Sequence, residues 1–558
     1  MKKKLSFVYP AIFILLPVLL FGVITLIQCG RSGGGLFLPA PKWNDEAAYY
    51  ELVKTWLVTG MPKGYWGFEG SHAVWGTGGA WSPAILLPYA VWGEMFGWGY
   101  SSTAIANVVF LCIANALVLL LCKPDKRGVW YLILLELLSG HILLYLNTIM
   151  SEILRYALAM VLAAMLFRLL FTEGTGKDRI FRYIVVPVYI IIVTQIYIFF
   201  AFAVPVYIFA VLKKKKWYIK TMVSFLAMAA EAGGSYYLLH LISSNYNIYK
   251  TEILLEALKS RDILGAVKTF FWMFKVGLID LWNCFLSYVG YGMFRWFIPC
   301  LVLFVCLPLF ILLKSSVIYL KRKEKREGTV FWNRDRQVFL AVSYSVGLFV
   351  FMYITVYSLE AFTFYRGVGI VLLFSMVMML EMDEKKWRCL FLGLYAAGVL
   401  FVPKNQADFH EERYLSAEER EKWDELATGL ERAMPLYGAE EISGMAAGER
   451  EIKEEEIKRS DEESIRWANT AVLYSMEPKL ICAMPAGIGV NFAMYSDEIV
   501  GEAGYLVYSL KEENLRPDWL EQSHQEIYGK YGKILEQDYF IQYMDGNYII
   551  YKKRGSEQ

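Results

Sequence analysis

The 558-residue chain lacks an excess of charge of either sign: 56 Lys and Arg stand against 54 Asp and Glu. Nothing in that balance suggests a nucleic-acid partner, and none is expected. Histidine is scarce, at five residues, and the eight cysteines show no Cys-x-x-Cys or Cys/His spacing. A zinc site and a disulfide framework are therefore not read. Cys112, Cys284, Cys300, Cys306 and Cys389 lie in or beside apolar stretches instead. Internal repeats are also missing, and paired repeats are what a secondary transporter would usually show. Cys29 in LIQCG is a poor lipobox because Gln28 is too large before it, so the first apolar segment reads as an uncleaved helix.

What the chain has is apolar surface: 56% of its residues are hydrophobic and 16% aromatic, the composition of a polytopic membrane protein. Stretches able to span recur near 7–28, 103–122, 128–147, 152–171, 183–212, 218–242, 292–320, 336–358, 367–381 and 387–403. About 20 residues at 1.5 Å each cover the roughly 30 Å hydrocarbon layer. Folding 183–212 into two short spans around Pro205 gives about eleven crossings. MKKK, KPDKR, TGKDRIFR, KKKKWYIK, KRKEKREG and DEKKWR then all fall on one side, which the positive-inside rule makes cytoplasmic. The expected localisation is the cell membrane, multi-pass, with the N-terminus inside and the C-terminus outside.

The expected fold is an all-α polytopic membrane domain over 1–403, with outer loops at 29–102 and 243–291. A small extracytoplasmic α/β or α+β domain follows at 404–558. In the first loop, Tyr49, Leu52, Val53, Trp56 and Leu57 recur at helical spacing, so 45–58 is read as a helix lying on the membrane. SPAILLPYAVWGEMFG (82–97) is short for a span and reads as interfacial. TEILLEALKSRDILGAVKTFFWMFKV reads as a second surface helix. The tail opens with the charged run HEERYLSAEEREKWDELATGLERA, taken as a solvated helix. It continues into strand-like runs: TAVLY, KLICAM, NFAMY, YLVYSL, DYFIQYM and NYIIYKK.

The chemistry-bearing residues gather at the outer ends of spans. Asp45 and Glu46 follow the first span, and both also suit a helix N-terminus, where acids satisfy free N–H groups and the helix dipole. Adjacent helical residues point about 100° apart, so the two acids divide roles. Glu152 opens the 152–171 helix, where Ser151 can cap and Arg155 at i+3 can pair. Arg366, with Glu360 as a partner, opens a late span, where a guanidinium can grip a phosphate or snorkel to headgroups. Arg295 and His72 are further candidates for phosphate contact. Glu231 lies deep in an apolar helix beside Gly233 and Gly234, and a transporter or lipid flippase centred on it is the alternative function.

An acid pair after the first span, a Pro-containing interfacial helix, an acid opening a later span and an arginine opening a late one occur in that order. This order resembles the GT-C superfamily of integral-membrane glycosyltransferases, which includes protein O-mannosyltransferases and aminoarabinose transferases. The resemblance covers roughly 1–403, with Asp45-Glu46 and Glu152 matching the family's acids. Trp81-Ser82-Pro83-Ala84 and Arg366-Gly367 depart from the family's Pro-Pro-Leu and Arg-Tyr stretches. It implies a polyprenyl-phosphate sugar donor, a glycan, lipid or protein acceptor, and membrane lipid as surroundings. It also implies inverting transfer with Asp45 as general base, Glu46 and Glu152 beside it, and Arg366, Arg295 or His72 on the leaving phosphate. The resemblance requires no cofactor: some relatives use a divalent cation (Mg or Mn), which Asp45, Glu46 and Glu152 could hold, and others do not.

Overall fold

The structure is a computed structural model. It describes residues 8–31, 38–60, 66–67, 82–171, 178–212, 215–242, 252–290, 301–303, 306–307, 310, 334–356, 361–382, 385–399, 413–436, 467–474, 477–492, 500–510, 524–544 and 546–555. Its helices begin with α1 (Val8–Arg31), α2 (Asn44–Thr59), α3 (Pro83–Phe96), α4 (Ser102–Cys122), α5 (Lys126–Leu137) and α6 (Gly140–Tyr145). Next come α7 (Glu152–Phe171), α8 (Asp178–Ile196), α9 (Ile198–Val211), α10 (Trp217–Ile242), α11 (Glu252–Lys259) and α12 (Ile263–Gly290). The last are α13 (Arg334–Val356), α14 (Ala361–Met378), α15 (Lys385–Val399), α16 (Ala417–Ala433), α17 (Pro478–Ala483) and α18 (His524–Asp538).

Among the described residues, α1, α4, α7, α8 and α13 contain stretches long and apolar enough to cross a membrane, and α9 and α14 contain shorter apolar ones. The expected count of about eleven is not established by these helices; most of the 292–320 stretch lies outside the described residues. α7 is the centre of the bundle, buried along nearly its whole length against α4 and α14.

Three expected helices take another form. The 128–147 stretch breaks into α5 and α6, because Ser139 caps α6 through its hydroxyl to Ile142 N (3.2 Å). The 183–212 stretch breaks at Tyr197, whose backbone is extended, and not at Pro205. Pro205 sits in the opening turn of a regular helical segment, where its missing N–H costs nothing. The surface helix expected from residue 251 is cut at Arg261, which has φ 58°.

α2 is the larger surprise. Tyr49, Leu52 and Val53 pack into the core of the bundle, as an amphipathic helix would. Ala47, Ala48 and Tyr50 are buried on its other side, in a second core shared with α16 and α17. It therefore lies between two layers of protein and not on lipid.

The second layer is a six-stranded sheet in the order β1-β3-β2-β4-β6-β5, formed by β1 (Trp66–Gly67), β2 (Thr470–Leu473), β3 (Gly489–Phe492), β4 (Tyr505–Ser509), β5 (Tyr539–Met544) and β6 (Tyr548–Lys553). β1 to β4 pair in parallel, and β4, β6 and β5 are antiparallel. Alternate side chains divide between two cores. Ala471, Leu473, Tyr505, Val507, Tyr548 and Ile550 face α2, α16 and α17. Val472, Leu506, Tyr508 and Ile549 face Leu535 of α18. One edge strand, β1, comes from the segment between α2 and α3, so early and late parts of the chain share this sheet. KLICAM, read as a strand, is α17: Pro478 starts it, and a short apolar run suits a buried helix as well as a strand.

Candidate active site

The N-cap of α2 is Trp43, which puts Asn44, Asp45 and Glu46 in the first turn. Glu46 folds back: its Oε2 accepts from the backbone N–H of Lys42 (2.8 Å) and Trp43 (3.0 Å), half of a capping box. Its Oε1 accepts from Ile149 N (2.9 Å), in the turn just before α7. Arg413 Nη1 lies 2.5 Å from both oxygens, and its guanidinium covers the Trp43 ring at 4.3 Å. Both side chains are 0% exposed. Every contact of Glu46 is thus to protein, and the residue ties α2, the α7 entry and the C-terminal layer together.

Asp45 points elsewhere. Arg366 Nη1 is 3.3 Å from Asp45 Oδ2 and 3.7 Å from Glu152 Oε1, so one guanidinium bridges both carboxylates. Arg155 Nη1 approaches the same Glu152 oxygen at 3.5 Å, while its Nη2 donates to Tyr49 OH (3.2 Å). The Arg155 guanidinium also sits 4.7 Å over the Tyr197 ring. Burial pushes the Tyr49 hydroxyl up to about 12 against the pull of Arg155, so Tyr49 stays protonated and is no base at neutral pH. Side-chain exposure grades across the cluster: Asp45 32%, Arg366 17%, Arg155 13%, Glu152 2%. Asp45 is the acid that a solute can reach. Glu152 Oε2 is buried without a hydrogen-bond partner, a free acceptor at the floor.

Arg366 is held from behind. Gly367 and Gly369 remove two side chains from α14, and aromatic rings fill the space. A Cβ on Gly367 would lie 2.8 Å from Tyr353, and one on Gly369 would lie 2.7 Å from His141 and 2.9 Å from Tyr156. Tyr156 OH donates to the Arg366 carbonyl (3.0 Å). His141 stacks on Tyr365 at 4.3 Å, and its Nε2 donates to the Tyr365 carbonyl (3.2 Å). That assignment leaves Nδ1 to accept from Tyr395 OH (3.3 Å), which is linked in turn to Ser139 at 2.6 Å.

The structure therefore brings Asp45, Glu152 and Arg366 together and sets Glu46 behind them. His72, Arg295 and Glu360 lie outside the described residues. Glu231 stands apart, half-buried beside Thr194 and Ser235. Sequence reasoning missed Arg413, hidden in a run that looked solvated, and the ring of His141, Tyr156, Tyr197 and Tyr353. Only the Arg-Gly-Val-Gly spacing hinted at those rings. No group of three potential ligands for a metal ion exists among the described residues. Asp45 and Glu152 share Arg366 as their cation, and Glu46 is committed to Arg413.

No family model matches the chain, and no curated protein sequence does. Among solved structures it is similar to the Archaeoglobus fulgidus oligosaccharyltransferase in complex with Zn and sulfate, at 12% identity and a TM-score of 0.42, over 90% of this chain and 68% of that one. It is also similar to ArnT from Cupriavidus metallidurans bound to undecaprenyl phosphate, at 11% identity and a TM-score of 0.40, over 98% of each chain. A third similar structure is AglB from Archaeoglobus fulgidus with an inhibitory peptide and a dolichol-phosphate, at 11% identity and a TM-score of 0.37, over 89% of this chain and 70% of that one. At these scores the likenesses carry no weight for the site, which rests on its own geometry.

Proposed function

We propose that the chain is a multi-pass membrane glycosyltransferase. In this reading it moves a sugar from a polyprenyl-phosphate donor to an extracytoplasmic glycan, lipid or protein acceptor, with inversion. One observation carries the proposal. A reachable carboxylate, a buried carboxylate and a guanidinium, from segments as far apart as Asp45 and Arg366, meet in one cluster at the start of a membrane helix. Charge runs put that end of the bundle outside the cell, where a sugar carried on lipid is an available donor.

In the mechanism, Asp45 accepts the proton of the acceptor hydroxyl as its oxygen attacks the anomeric carbon. The bond from that carbon to the phosphate oxygen breaks, and the lipid phosphate leaves with the electron pair on the opposite face. Arg366 swings from the carboxylates to the phosphate oxygens, a forked, charge-assisted contact that stabilises the leaving group. Arg155 remains on Glu152, so the buried acid keeps a counter-charge throughout. Glu46 positions: through Ile149 and Arg413 it fixes the distance between α2 and α7. Among the described residues Asp45 and Glu152 are bridged by Arg366 with no third potential ligand beside them, and no step is routed through a metal.

Membranes carrying the protein and radiolabelled polyprenyl-phosphate sugars test this reading. Asp45→Asn keeps shape and removes the base, and transfer should fall about 10²–10⁴-fold with insertion unchanged. Arg366→Ala should raise the donor concentration needed more than the acceptor's. Wild-type transfer by Asp45→Asn would remove Asp45 from the chemistry.

A further inference from the structure

At the other end of the bundle lies a cavity of about 340 Å³ that the proposed reaction does not use. Leu170 lines it, eighteen residues beyond Glu152 on α7. At 1.5 Å per residue the cavity is roughly 27 Å from the carboxylate cluster, close to the thickness of a bilayer core. Its wall is apolar, from Leu170, Val206, Phe209, Leu340 and Ala341. Lys220, in the first turn of α10, also lines it, with its ammonium 5.7 Å from the Phe209 ring.

Cations dominate the segments around the mouth. Lys215 and Lys216 precede Lys220 and are exposed, and Arg336 adjoins the lining residue Gln337. Of the acids at this end of the bundle, Asp178 is engaged by Arg168 at 3.0 Å, and Asp335 stands between Arg334 and Arg336 in the first turn of α13. The volume is at the low end of ligand pockets, enough for part of one acyl chain and not for a large solute. An apolar slot with a lysine at its edge, at the level of a headgroup layer, matches an amphiphile with an anionic head.

We infer that this cavity binds an anionic phospholipid of the surrounding membrane, with one acyl chain between α7, α9 and α13 and the phosphate at Lys220. A free phosphate would gain nothing from the apolar wall, and a zwitterionic lipid would gain little from the lysines. The bound lipid contacts α7, α9, α10 and α13, the helices that line the cavity, at the end remote from chemistry.

The experiment uses the full-length protein purified in neutral detergent and offered phosphatidylglycerol or phosphatidylcholine of identical chains, with adducts counted by native mass spectrometry. Wild type should retain phosphatidylglycerol at least about fivefold better, the advantage expected of one lysine near an anionic headgroup. Lys220→Gln should lose that preference, while Ala341→Phe, which fills the slot, should lose retention of both lipids. Melting in phosphatidylcholine alone checks that Lys220→Gln is folded. Equal retention of the two lipids by wild type, an unchanged preference in folded Lys220→Gln, or displacement of the lipid by millimolar inorganic phosphate would each overturn the inference.

Discussion

Replacing Arg413 by methionine tests the contact on which the layered arrangement turns. The side chain keeps most of its length but loses its charge, and the Glu46 carboxylate is left without its counter-charge where neither partner is exposed. Removing one member of a buried ion pair costs about 3–5 kcal/mol, because the remaining charge is neither solvated nor compensated. The cost falls on the junction between α2 and the C-terminal layer. Ala40 N donates to the Arg413 carbonyl (2.8 Å), and Lys54 Nζ donates to the carbonyls of Met484 (2.5 Å) and Cys482 (3.3 Å). At about 1.4 kcal/mol per tenfold, the population in which this junction is open should rise at least about 10²-fold.

Cys482 reports the opening. It is 1% exposed in α17, against α2, and burial pushes its thiol well up from its ordinary range. A maleimide therefore reaches it only from the open state, and when reclosing is fast the labelling rate follows the open population. Peptide mapping after timed labelling should show Cys482 modified at least about 10²-fold faster in Arg413→Met, with the exposed Cys389 as an unchanged internal control. The double variant Glu46→Gln/Arg413→Met removes both charges and should recover much of the protection, since an amide still accepts one of the backbone N–H groups. Unchanged Cys482 labelling in the single variant would refute the idea that the pair holds the junction, and a double variant labelled as fast as the single would refute charge as the cause.

Three further outcomes follow from the same geometry. Burial pushes the Glu51 carboxyl up to about 7 despite Lys54 and Thr55, so the folded state holds a proton that the unfolded chain has released. Stability from this group is complete below about pH 4.5 and is lost as pH rises through about 7, by about 3 kcal/mol at most; a melting series should show the fall, and Glu51→Gln should flatten it. Gly369→Ala would put a methyl into His141 and Tyr156, both fully buried, so α14 must shift; the donor requirement in the transfer assay should rise, with expression retained. Tyr156→Phe, which removes the hydroxyl bonded to the Arg366 carbonyl, should act in the same direction and more weakly, and unchanged donor use in both variants would show that Arg366 needs no support from behind.

Which parts of this molecule could be read from the chain follows from the range of the forces involved. The apolar spans and the acids at their ends are local facts, written within a few turns of helix, and Asp45, Glu152 and Arg366 were legible for that reason. The sheet was partly legible: of six strand-like runs at the end, four became strands and a fifth, NFAMY, is a strand over its described residues Asn491 and Phe492, while one edge strand came from Trp66-Gly67, whose two residues carry no period. α2 misled because an amphipathic pattern reports only that one face is apolar. Alanines at 47 and 48 gave no sign of a second burial, yet their small size is what lets the C-terminal layer approach. Arg413 was illegible for a stronger reason. Among the eleven other charged residues of its run nothing local distinguishes the guanidinium whose partner is Glu46; that choice depends on α2, which holds the Glu46 carboxylate in place through its own capping turn. The two acids read as a pair at the start are thereby separated in place: α2 turns one inward as a strut and leaves the other facing Arg366.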